Sequence, residues 1–185
     1  MYLPKQGNVS LLEDCEVASN TAYLSGGWLF ATGSVGALSI GPNVTVTANS
    51  ASTAGGAVYV QGNITGAFRV GGGSRVTGNS VLRYGGFLTV NGSMGSLELA
   101  EASAVDYNTA GRTYDDGSYI GGKGGVGYVR GGIGAVLLAG GSSMSYNVVS
   151  PGTDWSSGGG GGALAVQVSC VRACRIGRDP HFTFS

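Results

Sequence analysis

NVTVTANSASTAGGAVYVQGNITGAFRV, residues 43–70, is one unit of a repeat on which most of the chain can be laid residue by residue. The unit runs as an apolar residue, two spacers, Asn, then Gly-Gly, a short strand-like run, Gly, a turn and a second short run. The Asn recurs as Asn20, Asn49, Asn79, Asn108 and Asn147, three residues after Val17, Val46, Val76, Val105 and Met144. Gly-Gly pairs begin at Gly26, Gly55, Gly85, Gly124 and Gly161. Apolar tetrads at 37–40, 67–70, 96–99 and 135–138 each end nine residues before the next Asn. The Asn-to-Asn spacings are 29, 30, 29 and 39 residues. A sustained period near 30 is the mark of a solenoid, in which each repeat buries its apolar face only against its neighbours.

Each unit holds three short segments of alternating apolar and polar residues, split by Gly-rich turns. They are too short and too Gly-broken for helices, and their Val, Thr, Tyr, Leu and Ile content is that of strands. Three strands per turn, stacked at about 4.8 Å, pair every strand edge with the coil above and below. The fold class expected is therefore all-β: a right-handed, single-stranded parallel β-helix of about five coils over residues 1–167. The right hand follows the general rule for parallel crossovers. From Val168 the repeat fails, and residues 168–185 read as an irregular basic tail. The alternation places Leu29/Ala31, Val58/Val60, Leu88/Val90 and Val129 inside on the first strand. It places Leu38/Ile40, Phe68/Val70, Leu97/Leu99 and Val136/Leu138 inside on the second, and Cys15/Val17, Val44/Val46, Val76, Val105 and Met144 on the third. Asn20, Asn49, Asn79, Asn108 and Asn147 then fall at one corner, where stacked amides can bond along the solenoid as a structural ladder. Gly-Gly supplies positive φ or close backbone approach at the next corner.

The segments GGWL at Gly26, GGAV at Gly55, GGFL at Gly85 and GGAL at Gly161, each following an apolar-x-x-Asn, resemble the repeats of the polymorphic outer membrane proteins. That family carries GGA[ILV] and FxxN motifs; here Val or Met replaces the aromatic. Similar repeats occur in large surface proteins of unicellular eukaryotes, algae and protists among them. The resemblance covers residues 7–167. It implies a pectin-lyase-like β-helical passenger, secreted or displayed at a cell surface (outer-membrane-associated in a bacterium), with an adhesive or structural role.

Composition narrows the remaining classes. The chain has 185 residues, 37 of them Gly, with ten acidic and ten basic residues and a formal net charge of zero. No basic stripe precedes the tail, which argues against nucleic acid as a partner, and no apolar run approaches the length of a transmembrane helix. Cys15 sits at an inward position. Cys170, Cys174 and His181 match no zinc-ligand pattern, so neither a metal nor another cofactor is expected, a weak Ca²⁺ contact at Asp115, Asp116 and Asp154 being the one alternative. The N-terminus lacks the basic and apolar segments of a signal peptide. In register, Met1 falls inside the end of a first strand with no polar cap before it. The expectation is a fragment of a longer surface protein whose remaining sequence covers the ends of the helix.

Two insertions break the period at one corner. Asn to Gly-Gly is six residues in the regular units, 16 from Asn108 to Gly124 and 14 from Asn147 to Gly161. The resulting loops leave neighbouring coils and project together, offering Tyr114, Asp115, Asp116, Tyr119, Asp154 and Trp155. Aromatic rings for stacking on sugars, with carboxylates to accept hydroxyl hydrogen bonds, make these the candidate glycan site. A second candidate is an outward aromatic face on strand one, formed by Trp28, Ala57, Phe87 and Val126 beside Phe30, Tyr59, Thr89 and Tyr128. It is open to a sugar or an adjoining domain, or engaged only in stacking between coils. Arg69 and Glu98 point outward on adjacent coils and are expected to pair.

Polysaccharide cleavage by paired carboxylates is the runner-up function. A β-helical enzyme of that kind fixes its acids on strand faces. The corresponding outward positions here are Thr45, Thr47, Thr77, Ala104, Ser143 and Ser145, with only Glu16, Arg75 and Asp106 charged. A nucleophilic triad finds a single His, His181, in the tail. The reading is thus a non-enzymatic surface module without catalytic residues, its partners glycans or surface proteins. Four sequons, at Asn8, Asn43, Asn63 and Asn91, lie at predicted turns, whereas no ladder Asn is a sequon.

Overall fold

A computed structural model describes residues 1–3, 7–113, 119–150, 164–166 and 173–176. These residues are all-β, with parallel strands stacked into a β-solenoid and no helix among them. The first sheet stacks Tyr2–Leu3, Leu29–Ala31, Val58–Val60, Leu88–Val90, Gly127–Val129 and Leu164–Val166. The second stacks Val9–Leu11, Leu38–Ile40, Ile64–Val70, Met94–Leu99, Ile133–Leu138 and Ala173–Ile176. The third holds Glu16–Ala18, Thr45–Thr47, Arg75–Thr77 and Ala104–Asp106. Pairing follows the repeat: Val58 faces Leu29 and Leu88, Phe68 faces Leu38 and Leu97, and Val76 faces Val46 and Val105.

Two features depart from the expected architecture. A fourth, very short sheet follows the ladder Asn, built from Thr21–Ala22, Ser50–Ala51, Ser80–Val81 and Thr109–Thr113, with Val148–Val149 paired to the last. Two-residue strands carry too little alternation to be read from sequence. The solenoid also has about three turns, not five. The stretches 29–51, 58–81 and 88–113 each contribute to all four sheets. The turn after Asn108 lacks a third-sheet strand; only Ser143 bridges Ala104 there. Beyond residue 167, Ala173–Ile176 pairs with the second sheet, Ala135 to Ala173 and Leu138 to Ile176. Its offset from Gly162 equals that of residue 67 from Gly56. Arg175 takes the register position of Glu98 and Leu137, which hid the segment inside an apparently irregular tail.

The expected inward residues form the core. Leu29, Leu38, Val46, Val58, Phe68, Val76, Val90, Leu99 and Val129 are buried in one continuous cluster, with Cys15, Met144 and Leu164 packed against it. Ala57, Phe87 and Val126, read above as outward, also lie in this core. The Phe87 ring meets Phe68 at 5.6 Å between centroids. The chain turns the corner after Gly-Gly so sharply that residues 87 and 88 both point inward, which period-2 reasoning does not allow. Trp28, half-buried, packs against the same core.

Backbone torsions mark the corners. Gly26, Gly55, Gly85 and Gly124 all have positive φ, between 61° and 67°. The second Gly of each pair serves close approach instead: a Cβ on Gly56 would run into the Gly86 carbonyl oxygen of the next turn. The residue just before each ladder Asn is also left-handed, at Ser19, Ala48, Gly78, Tyr107 and Tyr146, with φ of 55°, 53°, 65°, 57° and 54°. No described helix is long and apolar enough to cross a membrane, which does not bear on strands of a β-barrel.

Candidate functional site

The buried Asn residues form a hydrogen-bonded column along the solenoid. Nδ2 of Asn20, Asn49, Asn79 and Asn108 donates to Oδ1 of the next Asn at 2.9, 2.9, 2.9 and 3.0 Å. The same oxygens accept the backbone N–H of the preceding rung at 2.9–3.1 Å. Each Nδ2 of Asn49, Asn79 and Asn108 also reaches two backbone carbonyls, as from Asn79 to Val46 and Thr77. Asn49, Asn79 and Asn108 are fully buried. Their hydrogen-bonding capacity is spent along the axis, so they hold the corner and offer nothing to a ligand.

The outward column of the first sheet is a ring stack. Tyr2, Phe30 and Tyr59 lie centroid to centroid at 5.8 and 5.2 Å with interplanar angles of 13° and 18°. Phe30, the middle ring, therefore spends both faces on its neighbours and leaves only its edge to solvent. Further along, Tyr84 tilts against Tyr128 at 4.9 Å, and its backbone carbonyl accepts the Thr89 hydroxyl at 2.6 Å. Thr89 and Tyr128 are buried. Burial lifts the Tyr59 and Tyr128 phenols above their ordinary range, partly offset by Arg130. Of the two readings offered for this face, the described residues fit stacking between turns: Ala57, Phe87 and Val126 are in the core, and Tyr2, Phe30 and Tyr59 cover one another.

The insertions are placed at their bases. Thr109–Thr113 continues outward from the fourth sheet and pairs antiparallel with Tyr119–Gly121, Arg112 opposite Ile120, so the first insertion is a β-hairpin at its root where a loop was expected. Val148–Val149 lies beside the same strand, and the Gly122 N–H donates to the Ser150 carbonyl at 3.1 Å. The second insertion thus departs against the base of the first. Tyr114, Asp115, Asp116, Asp154 and Trp155 lie outside the described residues; Tyr119 opens the returning hairpin strand.

Sequence reasoning missed one exposed group on these same turns. Tyr107 and Tyr146, each preceding a ladder Asn, stack at 4.9 Å with planes 9° apart, and remain 59% and 71% exposed. Beside them the Asp106 carboxylate accepts the Ser143 hydroxyl at 2.9 and 3.1 Å and the Ser145 N–H at 2.6 Å. This clasp replaces the third-sheet strand that the turn lacks. The signal was present in sequence, since the position before the ladder Asn reads Ser, Ala, Gly, Tyr, Tyr. On the outward third sheet, Glu16 and Asp106 stand three strand spacings apart and two residues out of register, roughly 16 Å. Paired glycosidase carboxylates stand about 5–9.5 Å apart. Among the described residues, no three His, Cys, Asp or Glu side chains gather as a metal site. No family model, no curated protein and no solved structure matches this chain.

Proposed function

We propose that the chain is a non-enzymatic structural and adhesive module of a secreted or surface-displayed protein. In this reading a right-handed β-helix is a rigid spacer, and the two insertions on neighbouring turns make its contacts with glycans or surface proteins. One observation carries it: both insertions spring from a single corner, with Thr109 paired to Val148 and Gly122 bonded to Ser150. Loops held side by side on a stiff scaffold form one composite contact surface. The likeness of the repeat to the polymorphic outer membrane proteins supports a place at the cell surface. So do the sequon residues Asn8, Asn43 and Asn63, which are exposed at turns while the central ladder Asn residues are buried.

The test is binding of the full chain to a panel of immobilised polysaccharides and glycans, beside a Tyr114→Ala, Trp155→Ala double variant. Binding by the parent that the double variant loses places the contact on the insertions. Release of reducing sugar during the assay would instead overturn the non-enzymatic reading.

A further inference from the structure

Tyr107 and Tyr146 occupy backbone positions that L side chains with a bulky Cβ substituent rarely adopt. The fold does not need a ring there, since the same position is Ser19, Ala48 and Gly78 in the preceding turns. Nor does the core gain from them, because both rings are mostly exposed. Tyr146 covers one face of Tyr107. The other face looks along the solenoid toward the turn of Gly78, where no side chain stands. A Cβ built on Gly78 would meet nothing nearer than the Ala48 nitrogen and Thr47 Oγ1, both at 3.9 Å. The stack therefore ends in an open rung, one coil spacing of about 4.8 Å deep.

The walls of that rung are polar. Thr47, Thr77 and Asp106 are in register on successive third-sheet strands, each immediately before Ala48, Gly78 and Tyr107. Among the described residues the Thr47 and Thr77 hydroxyls have no hydrogen-bond partner. The Asp106 carboxylate is held in place by Ser143 and Ser145. That carboxylate faces the Tyr146 side of Tyr107, so the rung on the Gly78 side offers a flat aromatic face beside a pair of hydroxyls, which suits a ligand that is apolar on its flat side and hydroxylated at its edge.

We propose that the Tyr107 face above Gly78 is a stacking site for one pyranose ring of a polysaccharide, with the Thr47 and Thr77 hydroxyls bonding those of the sugar. The site rests on the reading of the module as a glycan-contacting scaffold, and it puts the contact on the regular turns beside the insertions.

The experiment measures binding of the full chain to the same polysaccharide panel for the parent, Tyr107→Gly, Tyr107→Phe and the Tyr114→Ala, Trp155→Ala double variant. Gly fits the left-handed position, so Tyr107→Gly is expected to melt no lower than the parent. It should weaken binding by about tenfold or more, the scale of losing one aromatic anchor. Tyr107→Phe keeps the face and should bind as the parent does. Undiminished binding by Tyr107→Gly, or binding lost only in the double variant, overturns the site while leaving the insertion reading intact. Binding lost in Tyr107→Gly and kept in the double variant supports the site and removes the contact from the insertions. No binding by the parent overturns the site and leaves a scaffold with protein partners.

Discussion

Asn79→Leu separates the ladder from mere burial, because the consequence can be counted atom by atom. In the parent, Asn79 Oδ1 accepts the Asn49 backbone N–H at 3.1 Å and Asn49 Nδ2 at 2.9 Å. The Leu side chain removes that acceptor. Asn49 Nδ2 still has the carbonyls of Val17 and Thr47 for its two hydrogens. The Asn49 backbone N–H has no second acceptor, and Asn49 is fully buried. At the other end, Asn108 Oδ1 loses the Asn79 amide but keeps the Asn79 backbone N–H at 3.1 Å. One orphaned buried donor costs about 1–3 kcal/mol, and that is the expected loss. Asn20→Leu is the internal control. No bond to the Asn20 oxygen is part of the ladder, and Asn49 Oδ1 keeps the Asn20 backbone N–H, so the variant loses two bonds of a largely exposed amide, to Ala18 and Asn49, and orphans no buried donor; the expected loss is about 0.5–1.5 kcal/mol. Urea unfolding followed by far-ultraviolet circular dichroism, fitted with a common slope, reads both. An unchanged midpoint for Asn79→Leu, or a larger loss for Asn20→Leu, would refute the reasoning.

Gly56→Ala should destabilise by about 3 kcal/mol through overpacking, because its Cβ collides with backbone of the next turn. Gly140→Ala, with nothing within 4 Å, should leave the same urea midpoint. Replacing residues 114–118 by Asn-Gly closes the hairpin between the paired Thr113 and Tyr119 with a two-residue turn. Circular dichroism should then show the parent spectrum and a stability within about 0.5 kcal/mol, since loop length acts weakly; loss of the β signal would make the tip part of the core. The Arg69 guanidinium holds the Glu98 carboxyl below its ordinary range, with Ser96 assisting. A depressed carboxylate stabilises the fold above its unfolded pKa and ceases to do so as pH falls through its folded one. Arg69 is largely exposed, so the pair contributes about 0–1 kcal/mol. Any stability advantage of the parent over Glu98→Gln at neutral pH should vanish in acid, and one that persists there would contradict the assignment.

Most of the scaffold was legible because the repeat writes the same role down a column several times. Val46, Val76 and Val105 are one inward position seen three times, and Arg69 opposite Glu98 follows from the same register. What failed was inference across corners. Strands of three residues carry a phase that is lost at the next turn, so Phe87 and Leu88 were assigned opposite sides and both are core. The fourth sheet, two residues wide in most turns, and the hairpin root at Gly111 opposite Gly121 lay below what alternation can register. The candidate residues at 114–116, 154 and 155 fall outside the described residues, so only the bases of their insertions are positioned.

A column that repeats a residue reports what stacking requires, and a column that breaks its own pattern reports something else. The position before the ladder Asn requires a left-handed backbone, and Ser, Ala and Gly satisfy it in three turns with little or no side chain. The steric penalty of the left-handed region, roughly 1–2 kcal/mol, comes from the Cβ and so falls on Ser19 and Ala48 as on the two tyrosines; Gly78 alone escapes it. The return in packing is small, since the rings touch each other and water. On the same two turns the period lengthens, a hairpin emerges and Asp106 is clasped by Ser143 and Ser145 where a strand is missing. These departures fall in two stretches, 106–121 and 143–149, that lie on neighbouring turns at one corner, where the stacking rule is relaxed three ways at once. A solenoid that only spans distance has no reason to accumulate them there, which is the ground for proposing the contact surface of the module on the turns of Asn108 and Asn147.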